Sequence, residues 1–272
     1  MATFVLVHGG WGGGWEWTPV ANALRSRGHQ VFTPTLTGLG EREHIRASGV
    51  TLSDHIDDVA AVMSFEELDD VILCGQSYGG MVVTGVADGV PERIRLLVYL
   101  DAFVPGDGES LRDHVPPGFV EALVDVGRER GDGRAPIPPE LLPPGDAPDT
   151  VRYVARLRPH STNTFTEAIR LTGQVDRLPR AFVRCTGGDS DMEPFAERAR
   201  SEGWLYRELE TPHDLHLSDP VGTVAVLDDL ATVSVGANTR PPNAAGALRS
   251  ERLDGRDHYS AAPHQPNAPK ST

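Results

Sequence analysis

A serine flanked by glycines is the first feature of the sequence whose chemistry can be read directly. Residues 75–79 have the pattern G-x-S-x-G, with Ser77 at the centre and Gly80 following. An apolar run, 71–74, precedes the pattern, and a helix-forming stretch begins at Tyr78. A serine on a sharp strand-to-helix turn has a strained backbone, and nearby glycines avoid clashes across the turn. The pattern predicts that Ser77 is a nucleophile; a glycine-rich turn with a solvent-exposed serine is the alternative.

A second glycine-rich segment, 8–14, follows the first apolar run of the chain. Backbone N–H groups near Gly10, together with the N–H of Tyr78, can point at a developing alkoxide. We therefore assign Gly10 and Tyr78 to an oxyanion hole and place Gly9 and Trp11 in the substrate site. The segment lacks the G-x-G-x-x-G spacing and the lysine of phosphate-binding loops.

A serine nucleophile needs a base to remove its proton and an acid to orient that base. The usual chain order behind such an elbow is serine, acid, histidine. His213 is the first histidine after the last predicted strand and is expected to be the base, with His216 as a pocket or packing residue. Their H-x-x-H spacing has no further ligand at usable spacing, so neither a metal nor an organic cofactor is predicted.

Three carboxylates compete for the role of the acid. Asp189 and Asp191 follow the apolar run 181–186, and Asp101 ends an earlier run. Acidic residues just before a helix that starts at Pro194 could instead stabilise its N-terminus. The residues alone leave this choice open.

The elements that position these side chains alternate between strands and helices, which predicts an α/β fold with a mostly parallel, doubly wound sheet. The predicted strands are 4–7, 31–32, 71–74, 94–100, 181–185 and 204–209, and the predicted helices are 18–24, 51–68, 78–87, 194–201 and 221–230.

Proline pairs and glycines interrupt the pattern between about Val104 and Leu178. An insertion of this length usually serves the site, so we predict a core of 1–103 and 179–232 with a lid at 104–178. Two short helices, 118–128 and 151–158, are expected in the lid, and Phe103 is expected to contact substrate. Residues 233–272 contain few large apolar side chains and are predicted to be a disordered tail.

Composition excludes several classes of protein. The 272 residues include 25 Lys+Arg and 39 Asp+Glu, a formal net charge of −14, which disfavours a nucleic-acid partner. Apolar runs are too short to cross a bilayer, so no membrane partner is expected. Cys74 and Cys185 lie in apolar runs and are expected to be buried thiols, consistent with a cytoplasmic location. A small-molecule acyl substrate is the predicted partner, and a homodimer is compatible with the sequence.

Several segments together resemble the α/β-hydrolases related to plant methyl-ester esterases and hydroxynitrile lyases. The segments are 5–11 with Trp15 and Trp17, the elbow at Ser77, 97–105 and His213, whereas 35–42 and 194–200 are closer to bacterial esterase-like members. The resemblance covers about residues 3–232 and implies an α/β-hydrolase fold with a helical lid and a Ser-His-Asp triad. Placing 189–195 on the family pattern implies Asp189 as the acid.

The resemblance also separates related chemistries. Cyanohydrin-cleaving relatives have a lysine beside the catalytic histidine and a hydroxyl side chain in the oxyanion loop, where this chain has Asp214 and Gly9. The only lysine is Lys270, in the predicted tail. Ser77 also excludes the relatives that use an aspartate nucleophile, the epoxide hydrolases and haloalkane dehalogenases.

The resulting expectation is a serine hydrolase that cleaves an ester, thioester or lactone of a small or polyketide-like acyl compound through an acyl-enzyme. Two alternatives stay open: a cofactorless lyase or cyclase that uses Ser77 and His213 for proton transfer, and a catalytically silent small-molecule binding protein.

Overall fold

A six-stranded parallel sheet forms the centre of the molecule. The computed structural model describes residues 1–45, 49–143, 145, 148–188 and 191–233; Asp189 and the predicted tail from 234 onward lie outside them. The strands are β1 (Thr3–Val7), β2 (Gln30–Phe32), β3 (Val71–Ser77), β4 (Ile94–Ala102), β7 (Arg180–Cys185) and β8 (Leu205–Leu209), in the order β2-β1-β3-β4-β7-β8. Every neighbouring pair is parallel, which confirms the predicted α/β architecture.

Helices cover both faces of this sheet. The helices of the core are α1 (Thr18–Ser26), α2 (Leu52–Phe65), α3 (Gly79–Gly89), α7 (Glu193–Ser201), α8 (Leu215–Ser218) and α9 (Pro220–Thr232). Alternate side chains of a strand point to opposite faces, so Phe4 and Leu6 pack with α1 and α9, whereas Val5 and Val7 pack with α2 and α3. Both faces are buried, as the continuous apolar strands require.

Most predicted element boundaries agree with the structure to within a few residues, and local chemistry explains the agreement. Thr51 caps α2 through a capping box with Asp54, which fixes the start of that helix. Two strands run further than predicted: β3 continues to Ser77, and β4 continues to Ala102 and therefore contains Asp101 instead of ending before it. That extension places a carboxylate within the sheet, at its carboxyl edge.

Residues 104–178, which we call the cap segment, lie between β4 and β7. Their elements are α4 (Phe119–Arg130), β5 (Arg134–Ala135), α5 (Pro148–Val154), β6 (His160–Ser161) and α6 (Asn163–Thr166). The two predicted helices correspond to α4 and α5, although α5 begins and ends earlier than expected. The antiparallel β5–β6 pair, with Ala135 opposite His160, was not predicted because two-residue strands have no detectable periodicity.

Two further sequence expectations concern the whole chain. Cys74 and Cys185 are both buried free thiols. Within the described ranges, every helix is too short or too polar to cross a membrane.

Candidate active site

Ser77 lies on a strained turn between β3 and α3. Its φ is +52°, in the left-handed region that residues with a Cβ rarely adopt. The turn is tight: a Cβ on Gly75 would lie 2.5 Å from the carbonyl oxygen of Gly79, and one on Gly80 would collide with the carbonyl oxygen of Phe103. The glycines of the G-x-S-x-G pattern are thus required by close backbone approach, as the sequence predicted.

The proposed oxyanion-hole residues face each other beside this turn. A Cβ on Gly10 would lie 4.0 Å from the Cβ of Tyr78, and a Cβ on Gly79 would lie 2.8 Å from the carbonyl oxygen of His8. The N–H groups of Gly10 and Tyr78 donate to no acceptor within the part of the chain that the structure describes. Two backbone donors without acceptors, one of them at the N-terminus of α3, are suited to bind an oxyanion.

Gly9 has no room for a side chain, because a Cβ there would collide with Gln76 Oε1 and lie 3.3 Å from the Cβ of Ser77. The Gln76 amide in turn donates to the carbonyl oxygen of His213 at 3.3 Å. The Gln76 side chain therefore lies against both Gly9 and the loop that carries His213.

His213 is oriented by a buried carboxylate. Its Nδ1 lies 2.7 Å from Oδ2 of Asp101, and the His213 side chain is 31% exposed whereas that of Asp101 is fully buried. Burial lowers the pKa of His213, but the hydrogen bond and the charge of Asp101 outweigh it, so the pKa lies above its usual value of 6.5. With Nδ1–H donating to the carboxylate, Nε2 is available to act as a base.

Asp101 is itself held by two donors from β7. Its Oδ1 accepts hydrogen bonds from Arg184 Nη1 at 2.8 Å and from the backbone N–H of Cys185 at 3.1 Å. The φ of Asp101 is +45°, a second strained position at the carboxyl edge of the sheet. A buried carboxylate with several charge-assisted hydrogen bonds has a fixed orientation.

The structure describes two of the three candidate acids. Asp101 contacts His213, Asp191 is exposed in the turn before α7, and Asp189, the residue that the resemblance favours, lies outside the described residues. Arg184 was not singled out from the sequence. The available signal for Asp101 and Arg184 was an aspartate within an apolar strand, because a buried carboxylate requires charged or hydrogen-bonding partners.

The other predicted substrate-contacting residues lie around this centre. Trp11 and Phe103 are each 8% exposed, and the backbone N–H of Phe103 donates to the carbonyl oxygen of Ser77 at 3.2 Å. His216 is buried against the ring of Trp17, with Nε2 3.8 Å from Glu16 Oε2. The position of His216 agrees with the packing role that the sequence left open for it.

Two further histidines support the loops of the site in a neutral form. His8 Nε2 accepts from the Leu36 N–H at 3.1 Å, so its Nδ1–H donates to the Gly9 carbonyl at 2.8 Å. His55 Nε2 donates to the Thr37 carbonyl, which leaves Nδ1 to accept from the Tyr78 hydroxyl at 2.9 Å. Burial lowers the pKa of His8 to about 3 and also lowers that of His55.

Buried neutral histidines make the fold sensitive to acid, and we expect the free energy of unfolding to fall between pH 7 and pH 5. The pKa of His216 is lowered by burial to about 4, and those of His8, His55 and His160 are lowered too. Below an unfolded-state pKa of about 6.5, such a histidine takes up a proton when the chain unfolds. This uptake lowers the free energy of unfolding by about 2 kcal/mol per residue at pH 5. Glu16, whose pKa burial raises, and His213, whose pKa Asp101 raises, oppose this trend as two groups against four.

Thermal unfolding followed by circular dichroism at pH 7.5, 6 and 5 gives the melting temperature at each pH and therefore its slope with pH. His216→Met removes one titrating group and should make the slope shallower. A melting temperature that is constant from pH 7.5 to pH 5 contradicts the expectation.

No cluster of three or more histidine, cysteine or acidic side chains that could hold a metal ion occurs among the described residues. The site as described contains a serine on a strained turn, a histidine–carboxylate pair and two backbone N–H groups without acceptors among the described residues.

Comparisons with known proteins agree with this geometry. A family model described as the alpha/beta hydrolase family matches residues 4–226. A carbendazim hydrolyzing esterase from Nocardioides sp. (strain SG-4G) is 41% identical over 233 residues, covering 81% of this chain and 96% of that protein. Methylesterase 18 of Arabidopsis thaliana is 26% identical over 223 residues, covering 74% and 84%.

A solved structure has the same fold. An extracellular alpha/beta-hydrolase from a Paenibacillus species superposes with a TM-score of 0.75 at 24% identity, covering 84% of this chain and 98% of that chain. With the family model matching most of the chain and the Nocardioides esterase matching at 41% identity, the chain belongs to the alpha/beta hydrolase family.

Proposed function

We propose that the protein is a carboxylic ester hydrolase in which Ser77 is the nucleophile, His213 the general base and Asp101 the acid. The single observation that carries the proposal is the 2.7 Å contact between His213 Nδ1 and the buried Asp101 carboxylate, in a chain whose elbow serine has a φ of +52°. A histidine oriented in this way and a strained elbow serine are the two parts that acyl transfer needs.

The proposed reaction proceeds through an acyl-enzyme. His213 Nε2 takes the proton of Ser77 as Oγ attacks the ester carbonyl, and the N–H groups of Gly10 and Tyr78 stabilise the resulting oxyanion. The protonated His213 gives its proton to the departing alcohol. Water then attacks the acyl-enzyme with His213 as base. The carboxylic acid product leaves, and the Ser77 hydroxyl is restored.

The relatives suggest the size of the substrate. One is named for carbendazim hydrolysis and another as a methylesterase, which favours esters of small alcohols. We further propose that the cap segment acts as a lid over the acyl group and that the protein is cytoplasmic. The apolar cap side chains that could line such a pocket include Leu123, Tyr153 and Phe165.

Labelling by a fluorophosphonate tests the nucleophile independently of the substrate. We expect the native protein to gain one phosphonyl group, located on Ser77 by peptide mass spectrometry, and the Ser77→Ala protein to gain none. Labelling of both proteins, or of neither, contradicts the proposal.

Hydrolysis of carbendazim, of an aromatic methyl ester and of p-nitrophenyl acetate then ranks substrates. Turnover of any of them, with loss in Ser77→Ala, supports ester hydrolysis. Fluorophosphonate labelling without turnover of any ester favours a cofactorless lyase or cyclase, and absence of both favours a binding protein.

A further inference from the structure

Trp11 has a backbone conformation that its own residue type disfavours. It follows Gly10 in the oxyanion loop, and its φ is +64°. A residue with a bulky side chain persists in the left-handed region only when its surroundings hold it there. The neighbouring Gly12, Gly13 and Gly14 do not supply that constraint, because glycine adopts many backbone conformations.

The cap segment supplies three hydrogen bonds that hold Trp11. The Trp11 N–H donates to His160 Nδ1 at 3.1 Å, and its carbonyl accepts from the Arg158 N–H at 2.9 Å. The indole Nε1–H donates to the carbonyl oxygen of Ala135 at 2.9 Å. Residues far along the chain thus fix the backbone and the side chain of one residue.

His160 is rigidly mounted for this contact. It is fully buried in β6, which pairs with β5, and the Arg134 guanidinium donates to the carbonyl oxygens of Pro159 and Gly38. Its ring packs edge-on against Tyr78, with centroids 4.9 Å apart. The one side-chain hydrogen bond of the imidazole among the described residues is that of Nδ1 to Trp11, and Nε2 is buried without a partner.

The same ring lies beside both residues of the proposed oxyanion hole. Its Nδ1 lies 3.7 Å from the point where a Gly10 Cβ would be, and its edge lies against the side chain of Tyr78. Because Nδ1 accepts from Trp11, the ring proton must be on Nε2, and the imidazole is neutral. Burial holds the pKa of His160 well below 6.5, so this acceptor persists at neutral pH.

We propose that His160 is a positioning residue for the oxyanion hole: by accepting the Trp11 N–H from the cap segment, it fixes the loop that carries the Gly10 donor. The inference rests on the proposed function, because it assigns a role only if Gly10 and Tyr78 stabilise an oxyanion. The cap segment then contributes to the chemical step as well as covering the site.

Two amide variants of similar polarity test the contact. His160→Asn places an acceptor oxygen near the position of Nδ1, whereas His160→Gln places it near Nε2, and His160→Leu removes it. We expect kcat to fall by about 10²- to 10³-fold in His160→Leu and His160→Gln, the loss typical of a misplaced oxyanion donor, with KM within about threefold. His160→Asn should retain a kcat within about tenfold of the native protein.

A transition-state analogue separates positioning from a general structural role. A trifluoromethyl ketone forms an oxyanion when it reacts with Ser77. Its inhibition constant should rise in proportion to the fall in kcat/KM across the three variants. If His160→Leu does not fold, the comparison of His160→Asn with His160→Gln still decides. Equal activities of those two variants, or a loss confined to KM, would overturn the inference.

Failure of the proposed function gives a different result. It appears as a native protein that is not labelled by a fluorophosphonate. Failure of this inference alone appears as a labelled, active native protein in which His160→Asn and His160→Gln have equal activities or in which the loss is confined to KM.

Discussion

Replacing Ser77 by alanine is expected to lower kcat for ester hydrolysis by about 10⁴- to 10⁶-fold, because an acyl-enzyme cannot form without the Ser77 hydroxyl. The measurement is the rate of ester hydrolysis under saturating substrate, with the purified variant checked for contaminating native enzyme. A residual rate within tenfold of the native one would exclude Ser77 as the nucleophile.

The backbone of the elbow makes Ser77→Ala a clean substitution. Alanine retains the Cβ and therefore the strain at a φ of +52°, so the melting temperature should change little. Ser77→Gly is the matched control, since it removes both the hydroxyl and the strain. We expect it to be as inactive as Ser77→Ala yet more stable by about 1 kcal/mol, which separates chemistry from folding.

His213→Ala should lose about as much activity as Ser77→Ala, and the double variant should lose no more than either single variant. Residues of a triad act as a unit, so their effects on kcat are not additive. Additive losses would show that His213 acts independently of Ser77.

The sequence points to residues whose role depends on neighbours a few positions away in the chain. The elbow at Ser77 depends on glycines within a few positions, where close backbone approach excludes side chains. The capping box at Thr51 is equally local. Parallel strands were recognisable because burial on both faces requires continuous apolar runs.

What the sequence left open depends on contacts between distant segments. Asp101 and His213 are 112 residues apart, and Asp101 and Arg184 are 83 apart, so no spacing rule links them. The contact between His160 and Trp11 spans 149 residues and involves a two-residue strand. Such partners are set by strand order and by how far β4 extends, neither of which is encoded in a local pattern.

The second large effect concerns the acid, and we expect Asp101→Asn to lower kcat by about 10⁴-fold. Asparagine has nearly the same shape but can offer its amide N–H to His213 Nδ1, which favours the tautomer that cannot accept the Ser77 proton. Asp191→Asn is the matched control: Asp191 is exposed, and its substitution should change kcat by less than twofold.

The pH profile provides a second readout of the same carboxylate. In the native protein kcat/KM should rise with pH through a pKa above 6.5, because His213 must lose its proton before it can act as a base. Asp101→Asn removes the negative charge that raises this pKa while burial still lowers it, so the acid limb should move to lower pH. A general loss of folding would lower the rate without moving the limb.

Asp189→Asn completes the comparison, since the resemblance to plant esterases favours that residue. If Asp101 alone is the acid, Asp189→Asn keeps the native pH profile and a kcat within tenfold of the native value. The opposite result is that Asp189→Asn shifts the acid limb of the pH profile and lowers kcat by about 10³-fold or more, while Asp101→Asn does neither. The acid is then Asp189, and Asp101 has a structural role. Large losses in both variants, each with a shifted limb, would contradict a single acid, because one imidazole Nδ1–H donates strongly to one carboxylate at a time.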